Sequence, residues 1–310
     1  MKLSFIGSGD VSCTTAFAAS LKLGGILKEI VLLDIRENWA KGNAIDMTHA
    51  SVIDNTDIKY TGTSNYADVK GSDVIVITAG RASKPGVLRE ELLASNKQII
   101  SSVANELKKV IPTDDKQPLI IVLTNPLDLI LNHFINVGGF NKKKTIGSGN
   151  WLDSNRFKEA ISKEINVPAS KINTFAVAQH GQKIVYLLSK TTIDGKPLTN
   201  FNLSQEQIER IKTNATEGAN EIIKLLEIKS TSYGPALSIL DLISSYIKNE
   251  KKIVVASVYL NGEYGITGFT LGVPIVLGKN GIEEIKIFDL PTNEKTAIEE
   301  SYKFCLSLDI

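Results

Sequence analysis

The sequence predicts an α/β protein in two parts: a Rossmann-type, doubly wound parallel sheet over residues 1–147, and an α+β substrate-binding and catalytic domain over residues 148–310. Three observations carry this. Five short runs in the first half, LSFI, IVLL, DVIVIT, PLIIVLT and KTIGSG, are apolar on both faces, as strands covered by helices must be. Amphipathic stretches of helical length separate most of them. After about residue 148 the texture changes to helices mixed with strands that read as antiparallel.

The first run passes through Gly7-Ser8-Gly9 into a helix-like stretch, DVSCTTAFAAS. Glycines at a strand-to-helix turn let backbone N–H groups and the helix dipole hold a pyrophosphate. Ser12 stands where the usual GxGxxG has its third glycine, and it is small enough to let the helix pack closely. The second run, IVLL, ends at Asp34, where an acid hydrogen-bonds the adenosine ribose of NAD and repels a 2′-phosphate. Arg36 moderates that preference over NADP, because a guanidinium can partner the phosphate.

The third run opens into TAGRASKPGVLR, Thr78 to Arg89, a loop with three cations at the carboxyl end of a strand, where open α/β sheets keep their chemistry. Pro85 and Gly86 give it a hinge and turn, so it is expected to close over a site. From Arg89 to Ile111, Leu92, Leu93, Ile99, Ile100, Val103, Leu107 and Val110 form one apolar stripe on a long helix, which Pro112 stops. The fourth run leads to Asn125, which by itself reads as a turn asparagine before proline. In the second half, helices are expected over WLDSNRFKEAISKEI, Ser204 to Leu226, after Tyr233, and from Glu294 to Leu306. TFAVA and KIVYLL read as strands, and KIVVASVYL with ITGFTLGVPIVLG as a hairpin around NGEYG.

Composition narrows the function. Thirty-five basic against thirty-four acidic residues, with only short lysine runs, do not make a nucleic-acid surface. No apolar run approaches the ~20 residues of a membrane span, and two cysteines far apart form no disulfide framework, so a soluble, cytoplasmic protein is expected. No metal-ligating cluster stands out.

Of the three histidines, His49 and His133 lie within helical stretches and read as packing or surface residues. His180 follows an apolar strand in FAVAQHGQK and precedes a glycine, a placement that lets its ring enter a cleft and exchange protons near neutral pH. WLDSNRF supplies Asp153 and Arg156 three residues apart on one helical face, able to orient an imidazole and clamp a carboxylate.

The series GSG, LLD, TAG…KPG…R, LTNPLD, LDSNRF, QHG and GVPIVLGKNGIE, in that order along nearly the whole chain, closely resembles the lactate/malate dehydrogenase family, most of all its archaeal-type malate dehydrogenases. The resemblance implies NAD as cofactor, held by Gly7, Ser8, Gly9, Asp34, Ala79, Gly80 and Asn125, and a small 2-hydroxy or 2-oxo acid as substrate. It implies His180 as the acid/base and Asp153 as its partner. Arg156 would clamp the substrate's C1 carboxylate, Arg89 would polarise the reacting carbonyl, Asn125 would contact nicotinamide and substrate, and Thr231 would line the pocket. It also implies a homodimer or a homotetramer.

Two positions depart from the family pattern. Gln182 follows the HG where aspartate is common. Ser83 stands where many malate enzymes carry an arginine for the distal carboxylate and lactate enzymes a glutamine. Either Arg81 or Lys84 supplies the missing charge, or the pocket has relaxed toward monocarboxylic acids. Oxaloacetate and malate are the favoured substrates, pyruvate and lactate the alternative. A dinucleotide-binding regulatory protein without catalysis is the rival of another class.

Overall fold

The structure is a computed structural model that describes residues 1–81, 89–227 and 231–309. Strands β1 (Lys2–Ile6), β2 (Glu29–Leu33), β3 (Lys59–Thr63), β4 (Val74–Ile77), β5 (Leu119–Val122) and β6 (Thr145–Gly147) pair in parallel in the order β3-β2-β1-β4-β5-β6. Helices α1 (Asp10–Leu23), α2 (Glu37–Ile53), α3 (Arg89–Val110) and α4 (Leu127–Gly138) lie between them in the chain. Every residue of β4 and β5 is buried, which is why these strands read as unbroken apolar runs. The strand order reverses between β1 and β4, and the crevice outside their carboxyl ends is where such sheets bind ligands.

β3 was not among the five expected strands. Its sequence, KYTGT, forms an edge and leaves all but its last residue at least partly exposed, so it lacks a continuous apolar run. Gly62 is needed there, because a Cβ would meet the Ala40 backbone at 2.4 Å and push α2 off the sheet.

The second half contributes α5 (Gly149–Ile165), β7 (Ile172–Asn173), β8 (Ala176–Ala178), β9 (Ile184–Tyr186), β10 (Thr192–Ile193), β11 (Lys196–Pro197), α6 (Gln205–Leu226), α7 (Tyr233–Ile247), β12 (Lys252–Asn261), β13 (Thr267–Gly278), β14 (Gly281–Ile285) and α8 (Thr292–Leu308). Ser204 starts α6 through a capping box with Gln207. β12 and β13 form the expected antiparallel hairpin.

The sheet does not stop at β6. Gly147 pairs with Ser257 of β12, and β13, β8 and β9 follow in antiparallel order, so one eleven-stranded sheet spans both halves. One apolar core runs beneath it from Leu3 to Ile298, with a smaller cluster around Phe157, Ile161, Tyr186 and Ile211 between α5 and α6. Groups at the carboxyl ends of β1 to β6 and groups beyond β8 are therefore carried by one sheet. No helix among the described residues is long and apolar enough to cross a membrane.

Candidate active site

The turn after β1 meets the end of β2 through a carboxylate. Gly7 has φ +93°, a conformation L side chains rarely adopt, and a Cβ there would sit 2.8 Å from the Ala79 nitrogen. That turn aims the Ser8 amide at Asp34 Oδ2 (2.9 Å), while the Arg36 amide donates to Oδ1 (2.9 Å). Burial alone would raise the Asp34 pKa, but these amides and the Arg36 guanidinium outweigh it and hold the carboxyl below its ordinary value. Arg36 also stacks over Trp39, whose indole N–H donates to the Ser8 carbonyl.

Gly9 caps α1 without a side-chain hydrogen bond, and nothing lies within 4 Å of where its Cβ would be. The helix N-terminus thus faces open space with its first amides free of a side-chain cap, as a pyrophosphate requires. Ser12, in the third-glycine position, is fully buried and bonds Thr78 Oγ1 at 2.9 Å, so it joins α1 to the end of β4.

Asn96 organises the loop after β4. It is fully buried on α3; its Oδ1 accepts from the Arg81 amide (2.8 Å), and its Nδ2 donates to the carbonyls of Arg81 (3.2 Å) and Asn125 (2.7 Å). Thr124 Oγ1 adds a bond to the Ala79 carbonyl. The Ala79-Gly80 and Asn125 loops are therefore tied together. Sequence reading missed Asn96, although a polar residue on the stripe of Leu92, Leu93 and Ile100 was its signal.

His180 lies two residues past β8, and its Nδ1 is 2.6 Å from Asp153 Oδ2 on α5. Arg156 NH1 donates to the other oxygen of Asp153 at 3.2 Å. All three side chains are largely buried. Burial would lower the His180 pKa, but the Asp153 carboxylate, with help from Asp128, outweighs burial and the Arg156 guanidinium and holds the imidazole above its ordinary value. With Nδ1 engaged by Asp153, Nε2 is the nitrogen left to exchange a proton. Gly149 makes the approach possible, since a Cβ there would fall 2.4 Å from the ring; its place just ahead of LDSNRF was the overlooked signal.

Two clefts meet at His180. One is lined by Asn125, Leu92, Leu93 and Gln179. The other, of about 250 Å³, is lined by Asp153, Arg156, Tyr186, Thr216 and Asn220. The structure thus brings His180, Asp153, Arg156 and Asn125 to one place.

Other expected residues fall elsewhere. Arg81 is exposed and its guanidinium lies 3.5 Å from Glu91 on α3, outside both clefts. Thr231 is half-buried ahead of α7 and is not among the lining of either cleft. Ser83, Lys84, the Pro85-Gly86 turn and the Arg89 side chain lie outside the described residues. His49 is exposed on α2, and His133 bonds Ser101 at 2.7 Å, away from the site. Among the described residues no group of three or more His, Cys, Asp or Glu is placed to hold a metal ion.

The uncapped α1 terminus, the Asp34 carboxylate at the end of β2 and the crevice outside the strand ends fit a dinucleotide, and comparison with known proteins agrees. A family model described as lactate/malate dehydrogenase, NAD binding domain, matches residues 1–147, and its alpha/beta C-terminal domain model matches residues 151–306. The malate dehydrogenase of Pelagibacter ubique is 40% identical over 298 residues, 95% of this chain and 91% of that protein. The crystal structure of Cryptosporidium parvum malate dehydrogenase superposes with a TM-score of 0.92 at 34% identity, covering 99% of this chain and 97% of that one. The lactate dehydrogenase of the same organism, complexed with lactic acid and nicotinamide adenine dinucleotide, also gives 0.92, at 33% identity over 99% and 96% of the chains. The chain belongs to the lactate/malate dehydrogenase family and is an NAD-dependent 2-hydroxy-acid dehydrogenase.

Proposed function

We propose that this chain is a malate dehydrogenase, interconverting L-malate and oxaloacetate, with His180 and Asp153 as its proton relay. The 2.6 Å contact between His180 Nδ1 and Asp153 carries the reading, because it leaves one nitrogen of a buried, basic imidazole to face a cleft. NAD, when bound, would supply the hydride chemistry at C2 of the hydroxy acid, in either direction. As the hydride leaves, the hydroxyl proton passes to His180 Nε2 and the C2–O bond becomes a carbonyl; Asp153 stabilises the imidazolium that forms. Arg156, oriented by its bond to Asp153, clamps the C1 carboxylate bidentately. Asn125 and Arg89 complete the substrate contacts. Gly7, Ser8, Gly9, Asp34, Ala79 and Gly80 hold the nucleotide portion of the cofactor. A regulatory protein without catalysis would have no use for the buried imidazole–carboxylate pair.

Malate is favoured because relatives 37% to 40% identical over nearly the whole chain are named malate dehydrogenases. Lactate is the second reading, favoured by Ser83 and by the lactate dehydrogenases among the structural neighbours. The deciding experiment follows NADH absorbance with oxaloacetate and pyruvate for the wild type, Ser83→Arg and Lys84→Ala. Oxaloacetate should exceed pyruvate by roughly two orders of magnitude or more in kcat/KM, because an unpaired buried charge costs several kcal/mol. Pyruvate winning, with Ser83→Arg restoring oxaloacetate, overturns the malate assignment.

A homodimer, or a tetramer of dimers, accompanies this reading. Phe17 and Leu21 on α1, Ile45, Val52 and Ile53 on α2, and Leu237 on α7 are exposed apolar side chains that a second copy would cover. The free Cys13 and Cys305 accord with a cytoplasmic setting.

A further inference from the structure

The backbone that carries His180 is not one the chain adopts without help. Ala178, a non-glycine, has φ +68°, and Gly181 has φ +143°, which glycine alone adopts readily, so His180 sits within a bend between one strained residue and one glycine-specific turn. Three buried side chains hold that bend. Asn150 Nδ2 donates to the Ala178 carbonyl (2.9 Å), Ser301 Oγ accepts the Gln179 amide (3.0 Å), and Asp128 Oδ2 accepts the amide of His180 itself (2.8 Å).

Asp128 is the one of the three that is ionisable and touches His180. It lies in the first turn of α4, three residues after Asn125, so the element that presents Asn125 and the bend that presents His180 share it. Its other oxygen accepts from Ser257 Oγ on β12, and its carbonyl accepts from Thr270 Oγ1 on β13, each at 2.5 Å. The carboxylate, 2% exposed, is thereby held by Ser257 of β12 and by the bend beyond β8, while β13 holds its main chain. Such a group is an expensive way to brace a loop, since an amide, accepting the His180 amide through its oxygen and donating to a turned Ser257 hydroxyl, would make as many bonds at lower desolvation cost.

We propose that Asp128 is a positioning residue for the acid/base: it fixes the peptide from which the imidazole is aimed, and its negative charge, together with that of Asp153, favours the imidazolium. This rests on His180 being the acid/base. The charged groups facing His180 are Asp153 and Arg156 from α5 and Asp128 from α4. Asp128 in turn faces His180 and the buried Cys305 thiol of α8, which burial and that carboxylate both push up. Burial raises the Asp128 pKa to about 6, while both of its oxygens accept a donor, from Ser257 and from the His180 amide, as an ionised carboxylate does.

The test compares Asp128→Asn, Asp128→Ala and His180→Asn by kcat/KM for oxaloacetate across pH, with NADH binding followed by fluorescence. Asp128→Asn keeps an acceptor for the His180 amide, and the Ser257 hydroxyl can turn to accept instead of donate. Its rate at low pH should stay within about tenfold of wild type, while the high-pH limb of reduction moves to lower pH because the imidazolium has lost one stabilising charge. Asp128→Ala should lose on the order of 10²-fold through misplacement of the ring, with NADH binding retained. An unmoved limb in Asp128→Asn, or an Asp128→Ala variant that binds NADH and turns over at the wild-type rate, overturns the proposal. If His180→Asn itself turns over normally, the acid/base reading fails first; if it is silent while both Asp128 variants behave as wild type, the failure is that of Asp128 alone.

Discussion

Asp34 and His180 both lie just beyond strands of one sheet, yet they are held by opposite means. Two main-chain amides, joined by the Ser8 hydroxyl and the adjacent Arg36, fix Asp34, in a turn whose shape comes from Gly7. Side chains fix His180: Asp153 on its ring, Asp128 on its amide, and Asn150 and Ser301 on its neighbours, with Gly149 leaving the space. Backbone amides survive any substitution except proline, so a nucleotide pocket built from them tolerates exchanges such as Ser12 for the usual glycine. A reacting centre built from buried side chains has no such tolerance, because each partner removed leaves another unsatisfied.

The comparison breaks first, and most visibly, at His180. His180→Asn should lose ~10²–10⁴-fold in turnover, while NADH binding stays close to wild type because the nucleotide end does not depend on it. A loss below tenfold would remove His180 from the mechanism. On the proposed relay the same residue sets the pH response. Its pKa in the folded protein is raised, so the imidazolium that reduction needs is present below that value and is lost as pH rises through it. Reduction of oxaloacetate should therefore fall toward alkaline pH and oxidation of malate rise, with the crossover above the ordinary histidine value. A profile centred below that value would mean that burial, not Asp153, dominates.

A smaller effect is expected at the nucleotide end. On the proposed reading, Asp34→Ser removes a charge that repels a 2′-phosphate and frees the Arg36 guanidinium, now 3.3 Å from Asp34 Oδ1, to meet one. The ratio of NADH to NADPH efficiency should shrink by about tenfold or more, with the turnover number for NADH changed little. A preference for NADPH in the wild type would mean that Arg36 already governs this pocket.

The two ends also differed in how plainly the sequence announced them. Parallel strands buried on both faces, such as VIVI and LIIV, leave unbroken apolar runs, and the glycine turn and Asp34 follow them at fixed offsets, so the nucleotide half could be read locally. β3 escaped because all but the last residue of this edge strand are at least partly exposed. Around His180 the ordered motifs picked out His180, Asp153 and Arg156, which the fold brings together, but not what holds them. Asp128, Asn150 and Ser301 converge on one bend from 52, 28 and 122 positions away from their partners, and no local pattern encodes such distances. The continuity of the sheet from β6 into β12 rests on a single residue pair, Gly147 with Ser257, and was equally invisible.

Asn96 is where the contrast between backbone and side-chain construction is weakest, and it gives the mildest test. It belongs to the nucleotide half, yet it braces the Arg81 and Asn125 loops by a buried side chain, using Oδ1 as acceptor and Nδ2 as donor to two carbonyls. Asn96→Ala strips one donor and two acceptors of their partner, but Arg81 and Asn125 are themselves exposed, so water can replace part of what is lost. The cost should fall near ~2 kcal/mol, from the ~1–3 kcal/mol of an unsatisfied buried polar group. In a chain of this size that corresponds to a Tm lower by roughly 5 °C in a calorimetric scan. Asn96→Asp keeps the shape and the acceptor but turns an oxygen toward two carbonyl oxygens, so it should destabilise more than alanine does. Equal or smaller destabilisation by aspartate would show that the two carbonyl contacts contribute little, and that the loops at the nucleotide end are held by their main chain alone.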